Sequence, residues 1–396
     1  MLLVLFNSGR VTKNDMAAIE EYGKSFNSRL IDVRQYETAP EIYQMLKEKY
    51  SHPYDSIKGV QIFGINEDVP AFECKFKCKM SDDEIDSWWG RFKTDFCYSN
   101  FAADSDYLKS PIKIYDIMES KAVFQFAPDW QVARVPLTRG QISKFVKRSD
   151  EFKKQNPKTM LPICAFSCTV LDEDGDPNNL DDICYFMKER LDKEFNLLEG
   201  VPYSLYGNTF GEFPIKSAKN GKFSTHNLIL ENKKGPRDFW ISTHGFKDQF
   251  VHSIKWPEEE KAHLYSFLGI NNVNKKLKYN GYTLTAWCCH LARDLDDQNF
   301  IHKALRGRCV DAVAATNILS NNQSINTATL KEMESNNPFF LRYQFVKNLS
   351  EGCSRCESLS RAKAEYAKVV LEHQDQYNYQ YNLHNILVLH YFGLIT

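Results

Sequence analysis

Two stretches decide how this chain is read: Asp238-Phe-Trp-Ile-Ser-Thr-His244-Gly245 and Tyr282-Thr-Leu-Thr-Ala-Trp-Cys288-Cys289-His290-Leu291-Ala292. Each is a short apolar run rich in aromatic and β-branched residues. The first stops in His-Gly and the second in a cysteine, so both read as buried strands with a reactive residue type at the carboxyl end. In open α/β sheets function gathers just beyond those ends, and neighbouring parallel strands would bring His244 and Cys289 close together. A free thiol near neutrality is mostly protonated, and an imidazole beside it can take its proton and later protonate a leaving amine. Gly245 has no side chain, so its N–H can face a developing oxyanion alongside that of the nucleophile.

Outward from these stretches the chain alternates strand-like and helix-like segments. Leu2 to Phe6, Leu30 to Val33 and Lys58 to Gly64 read as strands, with helical spacing over Lys13 to Phe26 and Pro40 to Tyr50. Cys74 to Ser120 breaks the rhythm and reads as an irregular excursion. A second series begins near Pro157, with strands at Met160 to Ser167, Tyr203 to Tyr206, Phe239 to Thr243, Tyr282 to Cys288 and Val310 to Ile318. Helices are expected at Leu180 to Phe195, Ala328 to Leu349 and Leu359 to Gln374. The pattern predicts an α/β sandwich with a mostly parallel sheet. The helical segment Gly140 to Gln155, ending before Pro157, marks the joint between residues 1–156 and 157–396.

Composition narrows the function. With 396 residues, 43% hydrophobic, the chain can bury one large core or two ordinary ones. The formal net charge of -1 gives no global basic field, so neither nucleic acid nor an anionic membrane is expected as a partner. The N-terminal apolar run is too short for a signal-peptide core, and no stretch approaches the length of a membrane span. Eleven cysteines without framework spacing then read as reduced thiols in a cytoplasmic setting. Cys353-Ser-Arg-Cys356 and the Cys74/Cys78 pair lack zinc-ribbon context, and the acidic loop 172–182 departs from an EF-hand at Pro177 and Ile183. No metal and no cofactor are expected.

A strand ending in His-Gly followed by one ending in small residue–Cys resembles the layout shared by caspases, legumains, clostripain, separases and gingipains. The signature around the caspase nucleophile is missing, and the chain looks more like the gingipain family. Lys58-Gly-Val-Gln-Ile-Phe-Gly64 with Asp68-Val-Pro70, Thr94-Asp95-Phe-Cys-Tyr98, Asp129-Trp-Gln-Val-Ala-Arg134 and the closing Val388 to Leu394 are similar to family motifs in order, over residues 58 to 395. The resemblance implies a caspase-like α/β/α catalytic unit preceded by a smaller related α/β subdomain. It implies cysteine peptidase activity, with Cys289 as nucleophile, His244 as general acid–base and Gly245 as oxyanion donor. Cys288 competes for the nucleophile's role, but the family places a small residue before its cysteine, and Trp287 precedes Cys288. Asp182, or Asp181 in a slipped register, matches the acid of the family's P1 pocket and implies cleavage after Arg or Lys. Asp95 and Arg134 are expected to be structural. The expected partner is a protein or peptide substrate, with an activating ligand or partner protein left open. A Cys–His acyl transferase and an inert interaction module on the same fold are the alternatives.

Overall fold

The computed structural model describes residues 1–50, 56–75, 90–119, 125–155, 162–170, 204–207, 222–255, 263–317, 319, 338–372 and 379–396. In the first half lie β1 (Leu2–Phe6), β2 (Arg29–Asp32), β3 (Gly59–Phe63), β4 (Phe72–Lys75), β5 (Arg91–Thr94), β6 (Ile112–Lys113) and β7 (Gln131–Val135). The second half supplies β8 (Pro162–Val170), β9 (Ser204–Gly207), β10 (Arg237–Phe246), β11 (Gln249–Lys255), β12 (His263–Gly269), β13 (Tyr282–Trp287), β14 (Cys309–Ala315) and β15 (Leu389–Phe392).

Among the described residues, twelve of these strands form one sheet, ordered β12-β11-β8-β10-β13-β14-β15-β7-β3-β1-β2, with β9 beside β8. Every residue of Leu2-Leu-Val-Leu-Phe6 is buried, as is every residue of Gly59-Val-Gln-Ile-Phe63. Strands buried on both faces need cover on both sides, which the connecting helices provide. Helix Lys13–Lys24 starts from a capping box in which Thr12 and Asp15 bond each other's backbone N–H groups. It packs on helix Ile142–Gln155, whose first turn also donates to Asp15 from the Ser143 N–H. In the second half helix Pro338–Ser350 packs on helix Arg355–Glu372.

The halves meet at β15, the last strand of the chain. It pairs antiparallel with β14 and parallel with β7. Strands of the N-terminal half therefore run opposite to those of the C-terminal half, with each half parallel within itself from β7 to β2 and from β14 to β8. Gln61, buried in β3, ties down the tail that follows β15. Its Nε2 donates to Gly393 O (3.1 Å), and its Oε1 accepts from the Ile395 N–H (2.9 Å) and the Tyr22 hydroxyl (3.1 Å).

Two expectations change. The excursion from Cys74 to Ser120 is not irregular throughout: β4, β5 and β6 form a separate three-stranded sheet, and helix Ile114–Glu119 follows. The alternating apolar residues Phe72, Cys74 and Phe92 that drive it are spread over a sequence gap, so no single window shows the period. The second change concerns His244. Its strand does not stop at His-Gly but continues to Phe246 and turns back into β11.

Candidate active site

Backbone register brings the two deciding stretches together. β10 and β13 run parallel, with Arg237 opposite Tyr282 and each following pair in step up to Ser242 opposite Trp287. Continuing that register sets the His244 region beside the Cys289 region. The glycine shows how close they come. A Cβ built on Gly245 would lie 2.3 Å from the Cys289 carbonyl oxygen and 3.3 Å from both the Cys289 nitrogen and the Cys288 Cβ. No larger residue fits between the two chains, so glycine is demanded here by close approach.

The hairpin fixes which way His244 faces. His244 pairs with Val251, Gly245 with Phe250 and Phe246 with Gln249, leaving Lys247 and Asp248 as a two-residue turn. Burial alternates accordingly: His244 and Phe246 are exposed and Gly245 is buried, so the imidazole and the Phe246 ring share one face. The Thr243 hydroxyl donates to Val251 O at 2.5 Å and closes the base of the hairpin.

Beyond β13 the chain turns sharply. His290 takes φ 59°, and Asp294 and Leu295 take φ 64° and 52°, three non-glycine residues in the left-handed region within six positions. The His290 N–H donates to Asn317 O and the Ala292 N–H to Ala315 O, both at 3.0 Å, which holds this loop on the end of β14. The two thiols part company at the bend. Cys288 is 2% exposed and points into the core, whereas Cys289 is half-buried at the site.

Protonation follows from these surroundings. Burial pushes the Cys289 thiol up to about 11, opposed by the Leu319 backbone N–H that faces it. Cys288 is pushed well above the ordinary thiol range by burial and by the neighbouring Cys289. Loss of water around the His244 ring lowers its pKa below the usual imidazole value, so the ring is neutral at neutral pH. The resting pair is therefore neutral thiol and neutral imidazole.

Asp181, Asp182 and the rest of the acidic loop lie outside the described residues. Asp95 and Arg134 form a buried bidentate pair, Nε to Oδ2 and Nη2 to Oδ1 at 2.6 Å each, while Arg134 also donates to the carbonyls of Gly64 and Val69. This is a structural tie within the N-terminal half. Sequence reasoning missed Lys247, Asp294 and Asp296, which link the His244 hairpin to the loop after Cys289. The only signal was the polar Lys-Asp dipeptide between two apolar runs. Among the described residues no cluster of His, Cys, Asp and Glu is suited to a metal ion, and no helix is long and apolar enough to cross a membrane.

No family model and no curated protein matches the sequence. Solved structures do match in shape. The Arg-specific cysteine proteinase gingipain R aligns over 99% of this chain and 76% of its own, with TM-score 0.59 and 12% identity. A complex of the pro- and mature domains of the Porphyromonas gingivalis protein aligns with TM-score 0.58 at the same identity, over 99% of this chain and 78% of that one. A third structure, described as a protease, gives 0.56 at 12% over 99% and 77%. The chain thus has the caspase-like α/β fold of the gingipains.

Proposed function

We propose that this chain is a cysteine peptidase in which Cys289 is the nucleophile and His244 the general acid–base. The observation that carries this reading is the approach of the His244-Gly245 backbone to Cys289, where a single added carbon would sit 2.3 Å from the Cys289 oxygen. A neutral thiol paired with a neutral imidazole attacks by general-base catalysis. Cys289 Sγ bonds to the scissile carbonyl carbon as His244 takes the thiol proton. The oxyanion is stabilised by backbone N–H groups, with Gly245 as one donor. His244 then gives the proton to the leaving amine as the C–N bond breaks, leaving a thioacyl enzyme. Water, deprotonated by the same imidazole, hydrolyses it.

In this reading residues 157–396 are the catalytic unit and 1–156 a smaller supporting subdomain. Selectivity for a basic P1 residue rests on the sequence match of Asp182, or Asp181, to the gingipain pocket, and accords with the Arg specificity in the name of the similar structure. An apolar P1 side chain would leave such a carboxylate buried and unpaired, whereas Arg could bond it in bidentate fashion. Asp182→Asn, with Asp181→Asn as register control, is then expected to lower kcat/KM for basic P1 far more than for neutral P1 in a peptide library. A library preferring acidic or large apolar P1 residues would remove the pocket assignment.

A second reading, an inert interaction module, draws on the protonated, half-buried Cys289 thiol. A peptidyl electrophile separates the two. Covalent labelling that is lost in Cys289→Ala and His244→Ala and kept in Cys288→Ala supports the peptidase. Wild-type protein that neither labels nor cleaves any library peptide supports the module.

A further inference from the structure

The turn that ends the His244 strand is fastened to the loop that follows Cys289. Lys247 Nζ reaches Asp296 Oδ2 at 2.5 Å and Asp294 Oδ2 at 3.2 Å. Its own backbone oxygen accepts from the Phe300 N–H at 2.8 Å, at the start of helix Phe300–Arg306. The adjoining Asp248 O accepts from the Ile270 N–H at 2.9 Å. On the other side, Asp294 and Leu295 hold positive φ, and Asp294 is also paired with Arg293 at 3.8 Å. Asp296 Oδ1 accepts from the Gln298 N–H, and its carbonyl accepts from Asn299, the residue that caps helix Phe300–Arg306. Left-handed backbone at non-glycine residues persists only where surrounding bonds over-determine it. Here Lys247 holds the Asp294 carboxylate, while the Leu295 N–H donates to Ala292 O and its carbonyl accepts from the Asn66 N–H.

We propose that Lys247 is a positioning residue: through Asp294 and Asp296 it locks the His244-Gly245 hairpin in register with the Cys289 loop. This rests on the peptidase reading, because the distance being fixed is that between imidazole, oxyanion donor and thiol. A hairpin that leaves the parallel sheet at residue 244 has β10–β13 pairing only below the site, so its tip requires a second anchor. Lysine can serve two carboxylates at once because its ammonium carries three donors.

The test compares wild type with Lys247→Met, Lys247→Arg and Asp296→Asn. In Lys247→Met, kcat on a cleaved peptide is expected to fall about a hundredfold, the scale of an ångström-sized misplacement, with KM within about threefold. Lys247→Arg, which keeps the charge, should recover most of the loss, and Asp296→Asn should reproduce part of it. Amide hydrogen exchange across residues 245–250 should accelerate at least about tenfold in Lys247→Met, with the β13 and β14 amides unchanged. Unchanged kcat, or unchanged exchange at the hairpin, overturns the proposal. If wild type shows no turnover, the peptidase reading fails on its own. Exchange, together with the rate at which iodoacetamide alkylates Cys289, then decides the clamp: a hairpin and thiol indifferent to Lys247→Met would refute it.

Discussion

A methyl group on residue 245 has nowhere to go, since the Cys289 carbonyl oxygen is backbone and cannot swing aside. Gly245→Ala is therefore expected to push the His244 strand off the Cys289 loop and to reduce peptide cleavage by at least about a hundredfold. The rest of the fold should survive, which circular dichroism and the melting temperature will check. In the proposed mechanism the protonation of His244 and Cys289 sets the pH profile. His244 is lowered from its ordinary value near 6.5, so its basic form persists to pH values below that, and activity is lost as pH falls through the lowered pKa. With the Cys289 thiol at about 11, log kcat/KM is expected to stay flat from neutral pH to about 10. A bell with both limbs below pH 8 would indicate a thiolate–imidazolium pair instead.

Helix Arg355–Glu372 and strand β15 enclose a lysine that the proposed chemistry does not use. Lys363 is 5% exposed, its Nζ donates to Leu389 O, and it lies 4.7 Å from the centre of the Phe96 ring. Burial, only partly offset by the fields of Cys356 and Asp95, brings its pKa down to about 7. In the unfolded chain it titrates near 10.4, so between pH 7 and 10.4 the unfolded state holds more protons and stability rises with pH. Lys363→Met is expected to stabilise the fold by about 1–4 kcal/mol at pH 7. The gain over wild type should shrink as pH approaches 10, where the wild-type amine is neutral. Denaturant unfolding at several pH values reads both effects, and a destabilised variant at pH 7 would contradict them.

The continuous sheet makes the whole molecule depend on its last residues. β15 separates β14 from β7, and Gly393 and Ile395 are bonded to Gln61 in the other half. Removing residues 389–396 is expected to expose the edges of both halves and abolish cooperative unfolding, seen as aggregation or as two separate transitions. Acid sensitivity also belongs to this scale. Burial holds His290 down to about 4; burial and the charge of His290 hold His384 down to about 3; His390 is held well below its usual value. Each titrates near 6.5 when unfolded, so the unfolded state takes up more protons below that pH and stability falls as pH drops from about 6.5 towards 4. The melting temperature should decline through that window, and His384→Gln should flatten the decline.

What the sequence determined by itself was local and periodic. Buried strands announce themselves as unbroken apolar runs, so β1, β3, β10 and β13 were legible, and so were the helices with a clear apolar face and the His-Gly and Cys-Cys positions at the sheet's edge. Contacts that join distant residues were not legible, because no local pattern encodes them. The insertion of β15 between the halves, the reversal of strand direction across it and the three-stranded sheet β4-β5-β6 all depend on pairing between segments far apart in the chain. The same holds at the site. A histidine, a glycine and a cysteine could be named from strand ends, but only packing could decide that β10 continues into a hairpin. It alone brings Gly245 against the Cys289 backbone, and it sets Lys247 between two aspartates 47 and 49 residues further on.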